Sequence, residues 1–375
     1  MAPRKPPIKT SVSATAKPKR FFEKQLTGEQ PPGLTTMKAL LELSGEFASR
    51  EPWTLLSEDQ LVMVQTENGD QLCFCSIMGT LGEVFALQVH RGAEGYRFFQ
   101  RVASGSIHSA GDFYAEHSGV SMEFVPLKEL KPPDRELLKS LGYPLKRGAL
   151  APLFRAQRPG YHPWYITESE GKLLIECLRA VITLLDAVAE RAGDQWWGET
   201  GSYPMVIHKP VKGHPHRYEI SVEKAPEAPE ILPCPPALDE ARLNRILMQR
   251  MPVKGVLELD HFYASAAIGQ ANERKACFRT AMAINAETAE LYPPQVNLPS
   301  ASTGSMLMEA LLKAIEVMRI VPSAVRVHER AFKILLDSLS AALGFRVEVA
   351  ESLPVLDLAK KHLLAAIGDA GPLDT

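Results

Sequence analysis

The chain predicts an α/β protein of two modules: an α+β module with a β-meander and a long helix, then a three-layer α/β module. Three observations predict it. The 375 residues are 45% hydrophobic and 23% charged, enough chain for more than one core of ordinary size. Pro226, Pro229, Pro233, Pro235 and Pro236 crowd one short stretch and leave few backbone donors for a helix or ladder. Beyond that stretch, strand-like and helix-like periods alternate. The expected limits are a disordered basic tail over 1–33, an N-terminal module over 34–225, a linker over 226–237 and a C-terminal module over 238–375.

In the first module, Leu61–Thr66 and Leu72–Met78 read as strands joined by Asn68-Gly69-Asp70, residues that tolerate a tight turn. Glu83–His90 extends the hairpin to a third strand. Ala93–Val102 follows as a helix with Tyr96, Phe99 and Val102 on one face. Thr167-Glu168-Ser169-Glu170 matches a capping box, so a helix should start there. From Lys172 to Glu190 the polar residues Lys172, Glu176, Arg179, Thr183, Asp186 and Glu190 form one narrow stripe, and the rest of that helix should be buried. Pro204–Lys209 and His216–Glu223 close the module as a strand pair around Gly213.

The second module begins with three extended segments, Val256–Tyr263, Ala276–Ile284 and Ala289–Leu298, with a turn at Asn285-Ala286-Glu287-Thr288. A helix over Thr303–Arg319 follows, then a strand over Ala324–His328. Glu329–Leu343 is an amphipathic helix stopped by Gly344, where glycine can take the left-handed conformation. Phe345–Ala350 alternates as a strand and Pro354–Ile367 is a last helix. The order is β-β-β-α-β-α-β-α, and the strands alternating with helices should pair in parallel.

Charge excludes little in the body but marks one end. Formal net charge is −2. Arg4, Lys5, Lys9, Lys17, Lys19 and Arg20 carry the first twenty residues with no acid among them, which suits a salt-sensitive contact with nucleic acid or another polyanion. No apolar run reaches the length of a membrane span and no secretion signal is visible, so no membrane partner and a cytoplasmic location are expected. Five cysteines, at 73, 75, 177, 234 and 277, suit reduced thiols better than a disulfide framework.

Catalytic motifs are missing from the pattern. Gly79, Gly82, Gly92 and Gly95 have the wrong spacing for a dinucleotide or phosphate loop and read as turn residues. Cys73 and Cys75 share one strand face without the second pair a zinc site needs. His208, His214 and His216 cluster around prolines in a solvated loop. No metal and no cofactor is expected. The segment from Phe154 to Tyr165 is different: Arg155, Arg158, Tyr161 and Trp164 gather on a stretch stiffened by Pro159, Gly160 and Pro163, with Trp196 and Trp197 just beyond the long helix. Such rings and guanidinium groups are the side chains that anchor partners or stack bases, so these six are the expected binding residues.

The order of the second module resembles the ribonuclease H-like fold. That resemblance implies acidic side chains holding divalent metal for phosphodiester cleavage. At the place where it would put the first-strand aspartate the chain has Asn285, a neutral ligand; Asp260, Glu287 and Glu351 are the carboxylates a nuclease reading would use. At finer grain, Met78-Gly79-Thr80-Leu81-Gly82-Glu83, Val89-His90-Arg91-Gly92-Ala93-Glu94-Gly95-Tyr96, Phe154-Arg155 and Pro159-Gly160-Tyr161-His162-Pro163-Trp164 resemble a bacterial family of uncharacterised two-module proteins, over about residues 50–368. The resemblance implies the domain layout and no chemistry. The expectation is a non-catalytic binding or adaptor protein with a protein or nucleic-acid partner, and a metal-dependent nuclease is the rival.

Overall fold

Two sheets, each with its own core, organise the chain. The computed structural model describes residues 25–368 except 27, 68, 70, 108, 191–195, 198, 210–216, 228–232 and 271–272. The basic tail residues Arg4, Lys5, Lys9, Lys17, Lys19 and Arg20, and the loop histidines His214 and His216, lie outside the described residues.

The N-terminal module runs α1 (Leu34–Ser49), β1 (Val62–Gln65), β2 (Leu72–Met78), β3 (Phe85–Arg91), α2 (Gly92–Ala103), α3 (Ala110–Glu116), β4 (Gly119–Pro126), α4 (Pro132–Ser140), β5 (Leu150–Gln157), α5 (Glu168–Glu190), β6 (Ser202–His208) and β7 (Tyr218–Lys224). Its seven strands lie in the order β5-β4-β3-β2-β1-β6-β7. All neighbours are antiparallel except β1 and β6, which are parallel. Successive strand residues point to opposite faces. Cys73, Cys75 and Ile77 of β2 and Leu87 and Val89 of β3 therefore join one core with Leu174, Cys177, Leu178 and Val181 of α5. Ser76, Met78, Gln88 and His90 are turned to the other face.

The capping box forms as its spacing predicts. Glu170 Oε2 accepts the Thr167 N–H at 2.8 Å, and Thr167 Oγ1 accepts the Glu170 N–H at 3.3 Å. Of the polar stripe on α5, Lys172, Asp186 and Glu190 are exposed and Glu176, Arg179 and Thr183 half-buried. The segment read from sequence as a loop beginning at Phe154 starts instead inside β5: Phe154, Arg155, Ala156 and Gln157 pair with Met122 through Gly119 of β4.

The C-terminal module runs α6 (Glu240–Met248), β8 (Val256–Ile268), β9 (Ala276–Asn285), β10 (Gln295–Val296), α7 (Thr303–Met318), β11 (Ala324–Val327), α8 (Arg330–Leu343), β12 (Arg346–Val349) and α9 (Pro354–Ala366). The sheet order is β10-β9-β8-β11-β12, antiparallel through the first three strands and parallel from β8 to β12. One face packs Leu257, Leu259, Ala281 and Ala283 against α7 and α8. The other packs Phe262, Met282 and Ile284 against Leu356 of α9. This is the three-layer α/β arrangement. Gly344 ends α8 at φ 78°, as its position predicts. The third extended segment, expected over 289–298, is a strand only at Gln295–Val296. Asn285 also differs from expectation: it ends β9, the second strand, and its Oδ1 accepts the N–H groups of Glu287 and Thr288 at 2.9 and 3.0 Å. It is a turn former, and the first strand, β8, carries Asp260 instead.

The modules are docked through β8, β9 and α3. The Cys277 N–H donates to Gly160 O and the His162 N–H to Lys275 O, both at 2.9 Å, while within the first module the Gly160 N–H donates to Tyr114 O of α3 at 2.7 Å. Arg274 Nη1 crosses to Ala156 O at 3.1 Å.

Candidate functional site

A cavity of about 390 Å³ lies on the second face of the N-terminal sheet, between β2, β3 and the helix pair α2 and α3. That volume lies within the range of small-molecule sites. Its floor is Ser76, Met78, Gln88 and His90. Phe98, Phe99, Val102 and Ala103 of α2 and Phe113 of α3 form the walls, His117 closes the far side, and Glu58 and Asp59 stand at the mouth. Gly95 sets how closely α2 sits on the floor, because a Cβ there would lie 2.8 Å from the backbone carbon of His90. With that approach, Phe98 stacks on the His117 ring at 4.6 Å and 12°, while the His90 ring lies 5.9 Å from Phe98 and 5.7 Å from His117.

The two imidazoles are the unusual feature. Each is only 4% exposed. Burial lowers the His90 pKa to about 4. Burial, then the neighbouring His90, lowers that of His117 to about 3. Both rings are therefore neutral at physiological pH. Gln88 Nε2 lies 3.0 Å from His117 Nε2; donation from the carboxamide puts the ring proton of His117 on Nδ1. Nδ1 of His117 and Nδ1 of His90 have no hydrogen-bond partner. A buried polar atom left unpaired costs about 1–3 kcal/mol, which argues for a role beyond packing.

The cavity opens toward a shallow groove of about 760 Å³ that shares Asp59, Phe99 and Ala103 and adds Trp197, Glu199 and Tyr203. Trp197 is one of the binding residues read from sequence. Its indole N–H is held by Leu61 O at 3.0 Å, so its ring is fixed in the groove wall. Trp196 is half-buried against the main core.

The other four sequence-predicted binding residues lie elsewhere: Arg155 in β5, and Arg158, Tyr161 and Trp164 in the strap that follows it. Arg155 Nη2 donates to Asp134 Oδ2 at 2.7 Å, and its guanidinium carbon is 4.7 Å from the Tyr165 ring centre. Arg158 pairs with Glu29 and, at 3.2 Å, with Glu170. Trp164 Nε1 donates to Gln25 O at 2.7 Å. The Tyr161 backbone bridges Ala276 of the second module. These residues hold segments of the chain to one another.

The three carboxylates of the nuclease reading are not brought together. Asp260 is buried in mid β8 and lies 3.8 Å from Lys360 Nζ; burial raises its pKa to about 6 against the opposing pull of Lys360. Glu287 is exposed in the turn beside Val256, at the start of β8. Glu351 follows β12, at the other end of the parallel strands. Among the described residues no group of three His, Cys, Asp or Glu could hold a metal ion.

Sequence reasoning missed His90 and His117. The readable signal was Gln88 and His90 two apart in an otherwise apolar strand, on the face opposite Leu87 and Val89 and followed by the ring-rich α2. Residues 38–202, which contain the cavity, match the family model described as a domain of unknown function (DUF7309). Residues 242–364 match a second, described as a domain of unknown function (DUF6930). The chain is a two-module protein. No curated protein matches it. The two matched stretches lie either side of the proline-rich segment at 226–236, so the cavity belongs to the first module alone.

Proposed function

We propose that this is a non-catalytic binding protein whose N-terminal module takes a small organic ligand in the cavity between α2, α3 and β2–β3. The carrying observation is the ring-walled cavity itself, backed by two neutral, nine-tenths buried imidazoles and floored in part by the polar side chains of Ser76 and Gln88. Apolar walls with a few polar groups are what ligand sites use to combine affinity with orientation. The rings are too far below physiological pH in their titration to serve as general bases there, since a base works best with its pKa near the operating pH. Cys73, Cys75, Cys177 and Cys277 are buried and in no disulfide, which fits a reducing compartment such as the cytoplasm, and no described helix is long and apolar enough to cross a membrane.

In this reading the C-terminal module is a docked partner domain. Its strand order, with β8 central and flanked by β9 and β11, supports the resemblance to the ribonuclease H-like fold as scaffold. The scattered carboxylates favour no metal-dependent nuclease. The basic tail adds a contact to a polyanion such as nucleic acid, which should weaken as salt rises and vanish when residues 1–20 are removed.

The test is direct. Val102 is 42% exposed at the cavity edge, so Val102→Trp should fill the space without disturbing the core. A compound screen by thermal shift on the full chain should find ligands that raise its melting temperature and lose that effect in Val102→Trp. Ligands that stabilise both proteins equally would place binding elsewhere and refute the reading.

A further inference from the structure

The charge around the cavity narrows the ligand. Three carboxylates line the cavity mouth and the adjoining groove: Glu58, Asp59 and Glu199. All three are exposed, so they face solvent and the approaching ligand. No Lys or Arg lines either space among the described residues. Arg101, on the same helix as Phe98 and Phe99, is already paired with Glu116. Deeper in, the lining turns to the rings of Phe98, Phe99 and Phe113, and Phe98 is only 2% exposed with its face against His117, so the interior is an apolar seat. The imidazoles are neutral and add no repelling charge. The gradient therefore runs from anionic mouth to ring-lined interior, and it suits a molecule with a positive head and an apolar body. An anion would meet three like charges and find no cationic partner to offset its desolvation.

We propose that the ligand is a small organic cation, an ammonium-bearing molecule with an aromatic or aliphatic body seated against Phe98, Phe99 and Phe113 and its charge held among Glu58, Asp59 and Glu199. This rests on the cavity being a ligand site, as argued above. The same field would repel carboxylates and phosphates from the mouth, so selectivity comes partly from exclusion.

The experiment uses three probes of matched body and different charge, phenethylammonium, 2-phenylethanol and phenylacetate, titrated calorimetrically into the full chain at pH 7.5 and low salt. Phenethylammonium should bind about tenfold more tightly than either other probe, the scale expected when the attraction of several exposed carboxylates adds at low salt. In the triple variant Glu58→Gln, Asp59→Asn, Glu199→Gln, that preference should fall to within about twofold while the circular dichroism stays unchanged. Equal or tighter binding of phenylacetate or 2-phenylethanol overturns the cation assignment. If that binding is still lost in Val102→Trp, the cavity remains a ligand site and only its charge preference was misjudged. A preference that survives the triple variant also overturns the assignment. Failure of all three probes to bind at millimolar concentration overturns both statements.

Discussion

His90 and His117 tie their protonation to the stability of the fold. In the unfolded chain each imidazole titrates near 6.5; in the folded chain burial holds them at about 4 and about 3. Above about pH 6.5 neither state is protonated and the full stability is present. As pH falls from there toward 4 and then 3, the unfolded chain takes up protons that the folded chain refuses, so stability is lost across that window. The loss for His90 alone is on the order of 3 kcal/mol. Urea unfolding at pH 7.5 and pH 5.0 should show a steep fall in the wild type and a shallower one in His90→Gln and His117→Gln. An unchanged slope in both variants would mean the rings titrate normally and are not enclosed as described.

A second residue, Glu170, joins the local and the long-range. It caps α5 through Thr167 and receives Arg158 at 3.2 Å and Arg91 at 3.5 Å. Burial pushes its carboxyl up, but the Thr167 N–H and the two guanidinium charges outweigh burial and hold it below the usual range. Glutamine can keep the cap and loses the charge. Glu170→Ala should cost about 3 kcal/mol and Glu170→Gln about half as much, read from chemical denaturation. Equal costs would show that the charge alone matters, and a costless glutamine that the cap alone does.

At the scale of elements, legibility followed local periodicity. The capping box, the stripe on α5, the hairpin of β1 and β2 and the alternation from α7 to α9 all depend on residues close in sequence, and each formed. The elements that went unread, α1, α3, α4, α6, β4 and β5, lie in stretches where proline, glycine and short length blur the period. Arg155 shows the limit at one residue. Its neighbours Pro159, Gly160 and Pro163 read as a stiff loop, yet β4 supplies a partner strand that only the tertiary structure reveals, and Asp134 of α4 supplies its counter-ion. The cavity was illegible for a similar reason. His90 and His117 are 27 positions apart and meet only because β3 and β4 pair in register, with His90 opposite Gly119.

The whole molecule depends on how its two cores are joined. Each sheet has a separate buried cluster, so each could persist if the seam opened. The seam is fixed by close backbone approach at α3 and at the strap after β5. Gly111 sits with its Cα so near β8 that a Cβ would lie 2.3 Å from Tyr263 O and 2.6 Å from its carbonyl carbon. Backbone atoms cannot rotate aside as a side chain can, so Gly111→Val must push α3 away from β8. The same movement would shift Phe113 and the wall of the cavity, two residues further along a short helix. The expected result in calorimetry is that one cooperative transition becomes two, with faster proteolysis in the 226–237 segment and weaker binding of any cavity ligand. Both modules should keep their circular dichroism, because neither core has lost a side chain. A single unshifted transition in Gly111→Val would show that α3 does not bear on β8, and that cavity and second module act independently.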